Sequence, residues 1–298
     1  MIRSFDQLFQ EVRKRPRKTL IVPAAEGQSI LQACAEAQAE GICDVIAVGD
    51  AGKMRSILQK SGLDESKFEL RDEPDPERAV DLAMALIREG RANMLMKGKT
   101  DTPTLLKVVL DADKGLRTGR VLSHVAVVEM PTYPRLMLWT DGGLNIRPDL
   151  EKRMDIIRNA VEFAGHLGVE RPGVALLSAT EKVNPKMEET LDYEKILRIQ
   201  AAEPFVQAAI EGPLAMDIAL SAESAKIKEV ASAIAGETDI FVTPDIGTCN
   251  IAVKALIYLA GAKASGLVVG AQVPIVLLSR SDDYETKLRS IALGAIWA

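Results

Sequence analysis

Ser279 and Arg280 stand side by side at the end of an apolar run, Pro274-Ile275-Val276-Leu277-Leu278, and Asp282, Asp283 and Glu285 follow directly. A guanidinium beside a hydroxyl suits a phosphate or a developing oxyanion. A carboxylate just behind them can accept a proton in the reaction, or it can simply complement the dipole of a helix that starts there. A second cluster is Lys97-Gly98-Lys99-Thr100, followed by Asp101-Thr102-Pro103 and, a turn into the next helix, Lys107. Ammonium groups flanking a glycine, ahead of a helix with Thr102 as N-cap and Pro103 at its first position, make an anion seat. The plainer alternative is a capped helix with solvated lysines. The spacing is not that of a P-loop, since G-x-x-x-x-G-K-[ST] is absent.

Two further segments carry polar residues just past an apolar run. In Val174-Ala175-Leu176-Leu177-Ser178-Ala179-Thr180 the hydroxyls of Ser178 and Thr180 alternate with Ala179, which turns both to one side, although loop hydrogen bonds would use the same residues. In Phe241-Val242-Thr243-Pro244-Asp245-Ile246-Gly247-Thr248-Cys249-Asn250, Pro244 ends the run and Asp245 orders the turn. Gly247 there lets the backbone approach a ligand, and Asn250 completes the set of candidate substrate contacts. Cys249 has no histidine near it in sequence and is a poor candidate nucleophile. His124 sits in an apolar strand and reads as a core histidine, Met84, Met94 and Met96 as packing, and Arg13 to Lys18 as a solvated edge.

These segments need a scaffold that places strand ends next to helix starts. Short β-type runs at 19–22, 45–48 and 93–96 alternate with helical stretches at 28–40, 79–88 and 104–110, and Asp50 is placed to cap the helix after the second run. Repeated βα units predict a mostly parallel sheet covered by helices on both faces, with ligands beyond the carboxyl ends of the strands. Runs at 125–128 and 136–139 around Pro131-Thr132-Tyr133-Pro134 predict an antiparallel hairpin. A helix over 149–167 follows. A second series places strands at 174–177, 240–243 and 273–278 and helices at 186–201, 251–260 and 284–296. The expected organisation is two α/β lobes, residues 1–140 with about 271–298 and residues 141–270, the boundary lying near Asp141-Gly142-Gly143.

Composition excludes several other classes. The net charge of -5 gives no basic footprint for nucleic acid. The three cysteines form no C-x-x-C and the two histidines lie far apart, so neither a disulfide framework nor a zinc site is expected. No apolar stretch approaches the roughly 18 residues of a membrane span, and the opening MIRSFDQLFQEVRKRPRK lacks the apolar core of a signal peptide. A cytoplasmic location without membrane contact is expected.

Taken in order, VALLSAT, EGPLAMDIALS (211–221), ETDIFVTPDIGTCNIAVKAL (237–256) and VVGAQVPIVLLSRSDDYETKLRSIAL (268–293) resemble the phosphate acetyl/butyryltransferase family. The opening SFDQLFQEVRKRPRKTLIVPAAE and the segment MKGKTDTPTLLKVVL look more like the butyryl branch than the acetyl branch. The resemblance implies an isocitrate/isopropylmalate dehydrogenase-like fold of two α/β lobes with the active site in their cleft, and a homodimer. It implies reversible transfer of an acyl group between coenzyme A and inorganic phosphate, both as substrates, with no metal and no cofactor. Ser279 and Arg280 match the family's Ser-Arg motif. Lys107 falls where acetyl-type members have a phosphate-binding arginine, so a point charge replaces a bidentate fork. The family's acidic base follows the Ser-Arg pair, and either Glu285 or Asp283 can take that place here.

The residues suit such chemistry. Arg280 and Ser279 would stabilise the charge that develops on the carbonyl oxygen, while Lys97, Lys99 or Lys107 would hold phosphate in line with the thioester carbon. In reverse, Glu285 or Asp283 would take the thiol proton of coenzyme A. Direct transfer needs no acyl-enzyme. Two other chemistries fit the same architecture: an NAD(P)-linked hydroxy-acid dehydrogenase, against which stands the lack of G-x-G-x-x-G after the first strand, and a non-catalytic acyl-CoA-binding relative.

Overall fold

The computed structural model describes residues 1–277 and 283–298. In chain order the elements begin with α1 (Phe5–Lys14), β1 (Lys18–Pro23), α2 (Gln28–Ala39), β2 (Cys43–Gly49), α3 (Ala51–Lys60), β3 (Phe68–Asp72), α4 (Pro76–Arg88), β4 (Met94–Met96) and α5 (Thr102–Val109). They continue with β5 (Ser123–Glu129), β6 (Met137–Thr140), α6 (Leu150–His166), β7 (Gly173–Leu177), α7 (Glu188–Ala202), β8 (Ala209–Leu214), α8 (Met216–Leu220), α9 (Ala222–Ile227), β9 (Ile240–Val242) and α10 (Ile246–Ala260). The last are β10 (Lys263–Val269), β11 (Ile275–Val276) and α11 (Tyr284–Trp297).

The chain divides into a first unit, residues 5–120 and 265–298, and a second unit, residues 1–4 and 121–264. In the first unit the strands lie in the order β3-β2-β1-β4-β11-β10. β1 pairs in parallel with β2 and β4, β4 pairs in parallel with β11, and β11 turns antiparallel to β10. Leu20, Ile21, Val22, Met94, Leu95 and Met96 are all buried, the continuous apolar pattern of strands covered on both faces. α11 runs back against these strands: the Ala298 carbonyl at its end accepts from Lys18 Nζ (2.6 Å) at the start of β1. Its start therefore lies toward the carboxyl ends of β4 and β11.

In the second unit the order is β5-β6-β9-β7-β8. β5 and β6 form the expected antiparallel hairpin, and β6, β9, β7 and β8 run parallel. Trp139 of β6 stacks on Phe241 of β9 (4.7 Å between ring centres, 10° between planes), at the middle of a core that also takes in Ile218, Ile234 and Cys249.

This division differs from the lobes expected in sequence. The hairpin of residues 121–140, placed in the first lobe, pairs with β9 and belongs to the second unit, and residues 265–270 join the first. Only strand pairing could assign them, because the apolar runs themselves are compatible with either neighbour. β8 and β10 were not legible: β8 contains Gly212 and Pro213, tolerated because it ends the sheet order, and β10 opens with Lys-Ala-Ser-Gly. α10 starts at Ile246, ahead of the expected 251, because the Asp245 side chain accepts from Thr248 N–H. α5 is capped by Asp101 rather than by Thr102, since the Asp101 carboxylate reaches Thr104 N–H (2.9 Å) and Pro103 moves inside the first turn.

Candidate active site

The cationic segment of the first unit is a loop at the carboxyl end of β4. Lys97 N–H donates to Val276 O (3.0 Å) and Lys99 N–H to Ala24 O (2.8 Å), which tie the loop to the ends of β11 and β1. Gly98 is packed so closely on the carbonyl oxygens of Pro23 and Ala24 that a Cβ would overlap both. Ala24 itself adopts a left-handed φ of 51° to bring its carbonyl there. Lys97 is half-buried and its ammonium donates to Thr100 O (3.2 Å) and Gly98 O (3.4 Å). Lys99 is exposed, and Lys107 lies exposed on α5. Thr100 is buried, and among the described residues its hydroxyl oxygen has no hydrogen-bond partner. Asp101 caps α5, and the hydrogen bonds from Thr104 N–H and its hydroxyl, with the charge of Lys97, hold its carboxyl below the ordinary range.

Ser279 and Arg280 lie outside the described residues. The two candidate bases behind them are both engaged. Asp283 caps α11 by accepting from Thr286 N–H (2.7 Å), and that bond holds its carboxyl below the ordinary range, which weakens it as a base. Glu285 is exposed and pairs with Arg289 (2.9 Å), whose guanidinium lies over the Phe5 ring.

The candidate residues of the second unit are divided between neighbouring strand ends. After β7, the Ser178 hydroxyl donates to Glu189 (3.0 Å) and the Thr180 hydroxyl accepts from Lys182 N–H (3.2 Å), so both carry the loop bonds foreseen as their plainer role. After β9, Asp245 caps α10, Gly247 lies in its first turn, and Asn250 Nδ2 donates to Gly142 O (3.2 Å). Beside them is a narrow cleft lined by Asp141, Asn145, Pro148, Arg153, Thr243 and Asp245 among others. Asp245 is the only sequence-stated candidate in its wall. Cys249 is buried, and burial pushes its thiol up to about 12.

Sequence reasoning overlooked Arg153. Its guanidinium is buried, donates to Thr243 O (3.3 Å), Pro244 O (3.2 Å) and Pro148 O (3.1 Å), and lies 5.3 Å over the Tyr193 ring. It thereby fixes the turn that presents Asp245 and Gly247. A signal was present: Arg153 shares the helical spacing of Ile157, Ala160 and Ala164, and a charge in that stripe must find partners.

The family model described as phosphate acetyl/butaryl transferase matches residues 76–295. The chain belongs to this family. Across 298 residues, all of this chain and 99% of its relative, it is 41% identical to a phosphate butyryltransferase of Clostridium acetobutylicum. A solved branched-chain phosphotransacylase from Enterococcus faecalis superposes with a TM-score of 0.83 at 32% identity, covering 94% of this chain and 98% of that one. A 4-hydroxythreonine-4-phosphate dehydrogenase from Klebsiella pneumoniae gives a TM-score of 0.56 at 16% identity over 94% of this family member and 100% of the dehydrogenase, which bears out the dehydrogenase-like fold class and nothing finer. The family member is an acyltransferase, and among its described residues no helix is long and apolar enough to cross a membrane.

Proposed function

We propose that the acyl group this acyltransferase moves reversibly between coenzyme A and inorganic phosphate is butyryl or a chain of similar size. The observation that carries the chain length is the 41% identity, end to end, with a phosphate butyryltransferase. In this reading Lys97, Lys99 and Lys107 hold phosphate, and Arg280 with Ser279 stabilises the carbonyl oxygen as charge develops on it. Ser178, Thr180, Asp245, Gly247 and Asn250 are proposed contacts for the acyl-CoA. Glu285 is the preferred acceptor of the thiol proton over Asp283, because the Asp283 carboxyl is held low by its capping bond. Transfer is direct, without an acyl-enzyme, and the buried Cys249 supports that reading by offering no ready thiolate.

The proposed assembly is a homodimer. α10 supports it, since Ile251, Tyr258 and Leu259 are exposed on a helix whose other side packs on the core through Ala252, Val253 and Leu256. A cytoplasmic location belongs to the same reading.

Free thiol followed on mixing the protein with phosphate and a panel of acetyl-, propionyl- and butyryl-CoA tests the function. The highest kcat/KM is expected with butyryl-CoA. An acetyl-CoA optimum transfers the assignment to the acetyl branch, and no phosphate-dependent thiol with any of them rejects the activity. Arg280→Ala is expected to lower the rate by about 10²-fold or more; an unchanged rate removes Arg280 from the mechanism.

A further inference from the structure

Lys228 is one cation shared by two carboxylates from separate segments. Its Nζ lies 2.9 Å from Glu181 Oε1 and 2.9 Å from Asp217 Oδ2. The hydrogen bonds to Glu181 and Asp217 hold the ammonium above its ordinary range, and the bond from Lys228 holds the Asp217 carboxyl below its own. An exposed ion pair by itself contributes little. Here two acids meet at one point, within about 6 Å of each other, and would repel without the cation between them.

The segments joined in this way both follow parallel strands. β7 and β8 pair from Gly173 and Ala209 to Leu177 and Leu214, so the residues after them emerge at the same edge of the sheet. Asp217 lies in the first turn of α8, just beyond β8. Glu181 follows Thr180 in the segment beyond β7. That segment is held at its start by Ser178, whose N–H donates to Leu214 O (2.9 Å) and whose hydroxyl donates to Glu189 (3.0 Å). At its far end Asn184 N–H donates to the Thr190 hydroxyl of α7 (2.9 Å). Lys228 holds it between these two ends.

α9 is built to present Lys228. At its start the Ser221 hydroxyl accepts from Ser224 N–H (3.1 Å), and at its end Glu229 N–H donates to Lys226 O (3.1 Å) and Val230 N–H to Ala225 O (2.9 Å). The last two are the bonds of a Schellman ending, whose left-handed residue is usually glycine. Here it is Glu229, with φ 55°. The chain accepts that strain to stop the helix directly after Lys228, which fixes the backbone from which the ammonium reaches both acids.

We propose that Lys228 is a positioning residue of the acyl-transfer reaction. By bridging Glu181 and Asp217 it holds the segment after β7, and with it Ser178 and Thr180, in the pose that receives acyl-CoA. This rests on the reading of Ser178 and Thr180 as acyl-CoA contacts and adds the residue that acts through them. Lys228 itself touches no substrate.

The test is kinetic, on the full chain with butyryl-CoA and phosphate. Lys228→Met is expected to raise the KM for butyryl-CoA by about fivefold, with the phosphate KM changed less than about twofold. Lys228→Arg, whose fork can also bridge two carboxylates, should return the butyryl-CoA KM to within about twofold of the unaltered value. Glu181→Gln added to Lys228→Met should raise it no further, because both changes remove the same contact. Trypsin cleavage after the exposed Lys182 or Lys186 should be at least about threefold faster in Lys228→Met. An unchanged butyryl-CoA KM in Lys228→Met overturns the proposal, and so does an equal rise in both KM values, which would mark a general loosening of the fold. Should Lys228→Met fail to fold, Glu181→Gln and Asp217→Asn decide by the same comparison, an unchanged butyryl-CoA KM in both being the overturning result. If replacing Ser178 and Thr180 by alanine leaves the butyryl-CoA KM unchanged, the contact reading fails by itself. The cleavage rate then still judges the tie, and equal rates overturn it.

Discussion

Gly98 lies with its α-carbon against the carbonyl oxygens of Pro23 and Ala24, so the loop bearing Lys97 and Lys99 is seated directly on the end of β1. A side chain at this point has backbone as its obstacle, which cannot rotate away. Gly98→Ala is expected to cost about 2–3 kcal/mol of stability and to lower phosphate-dependent thiol release by at least about tenfold. Gly165, also a glycine but near the end of α6 with nothing within 4 Å of its would-be Cβ, is the contrast. Gly165→Ala should be neutral or stabilising by about 0.5 kcal/mol. Urea unfolding of both variants checks the pair.

Arg153 joins α6 to the turn after β9 through the carbonyls of Thr243, Pro244 and Pro148. Arg153→Met leaves those buried carbonyls unpaired and should cost about 2–4 kcal/mol. Arg153→Lys restores the charge but not the fork, so it is expected to recover stability only in part. Thermal melts of the two variants measure the difference. Equal stability for Arg153→Met and the unaltered protein would remove the buried guanidinium as the tie.

The helix-capping aspartates set the acid limit of the fold. Asp50, Asp101, Asp149 and Asp283 accept backbone N–H bonds from Lys53, Thr104, Lys152 and Thr286, and those bonds hold each carboxyl below the ordinary 3.8. A folded-state value below the unfolded one stabilises the fold at pH above the unfolded value. That contribution is lost as pH falls through the folded values. The urea midpoint is therefore expected to gain nothing from these groups between pH 7 and 5 and to fall below about pH 4. A midpoint that rises on going from pH 5 to 3 would contradict this.

The thiols are expected to be inert in the native protein. Burial pushes Cys34 and Cys249 up to about 12 and Cys43 well above its usual value. Iodoacetamide at pH 8 should leave activity unchanged and label the cysteines only after denaturant is added. Rapid loss of activity on native labelling would return Cys249 to the mechanism.

The exposed side of α10 predicts the assembly. Leu259→Glu, at a residue 88% exposed, should leave the isolated fold intact and shift the mass measured by light scattering from dimer to monomer. A monomer in the unaltered protein refutes the proposed homodimer.

Much of the fold was legible because local rules and burial agreed. The apolar runs of β1, β2 and β7 lie within one or two residues of their expected places, Asp50 caps α3 as its position promised, and the Pro-rich turn closes the β5–β6 hairpin. The family could also be recognised from ordered segments, because residue type and order are properties of the chain alone. Tertiary structure decided what depends on neighbours distant in sequence. It assigned residues 121–140 to the second unit through the pairing of β6 with β9, gave the cap of α5 to Asp101, and let a strand form at β8 despite its glycine and proline. The site divides in the same way. Lys97, Lys99 and Thr100 are visible as a motif, but that the Thr100 hydroxyl is buried without a hydrogen-bond partner among the described residues depends on packing. A sequence states which groups are present; only the fold determines which of them are left without a partner.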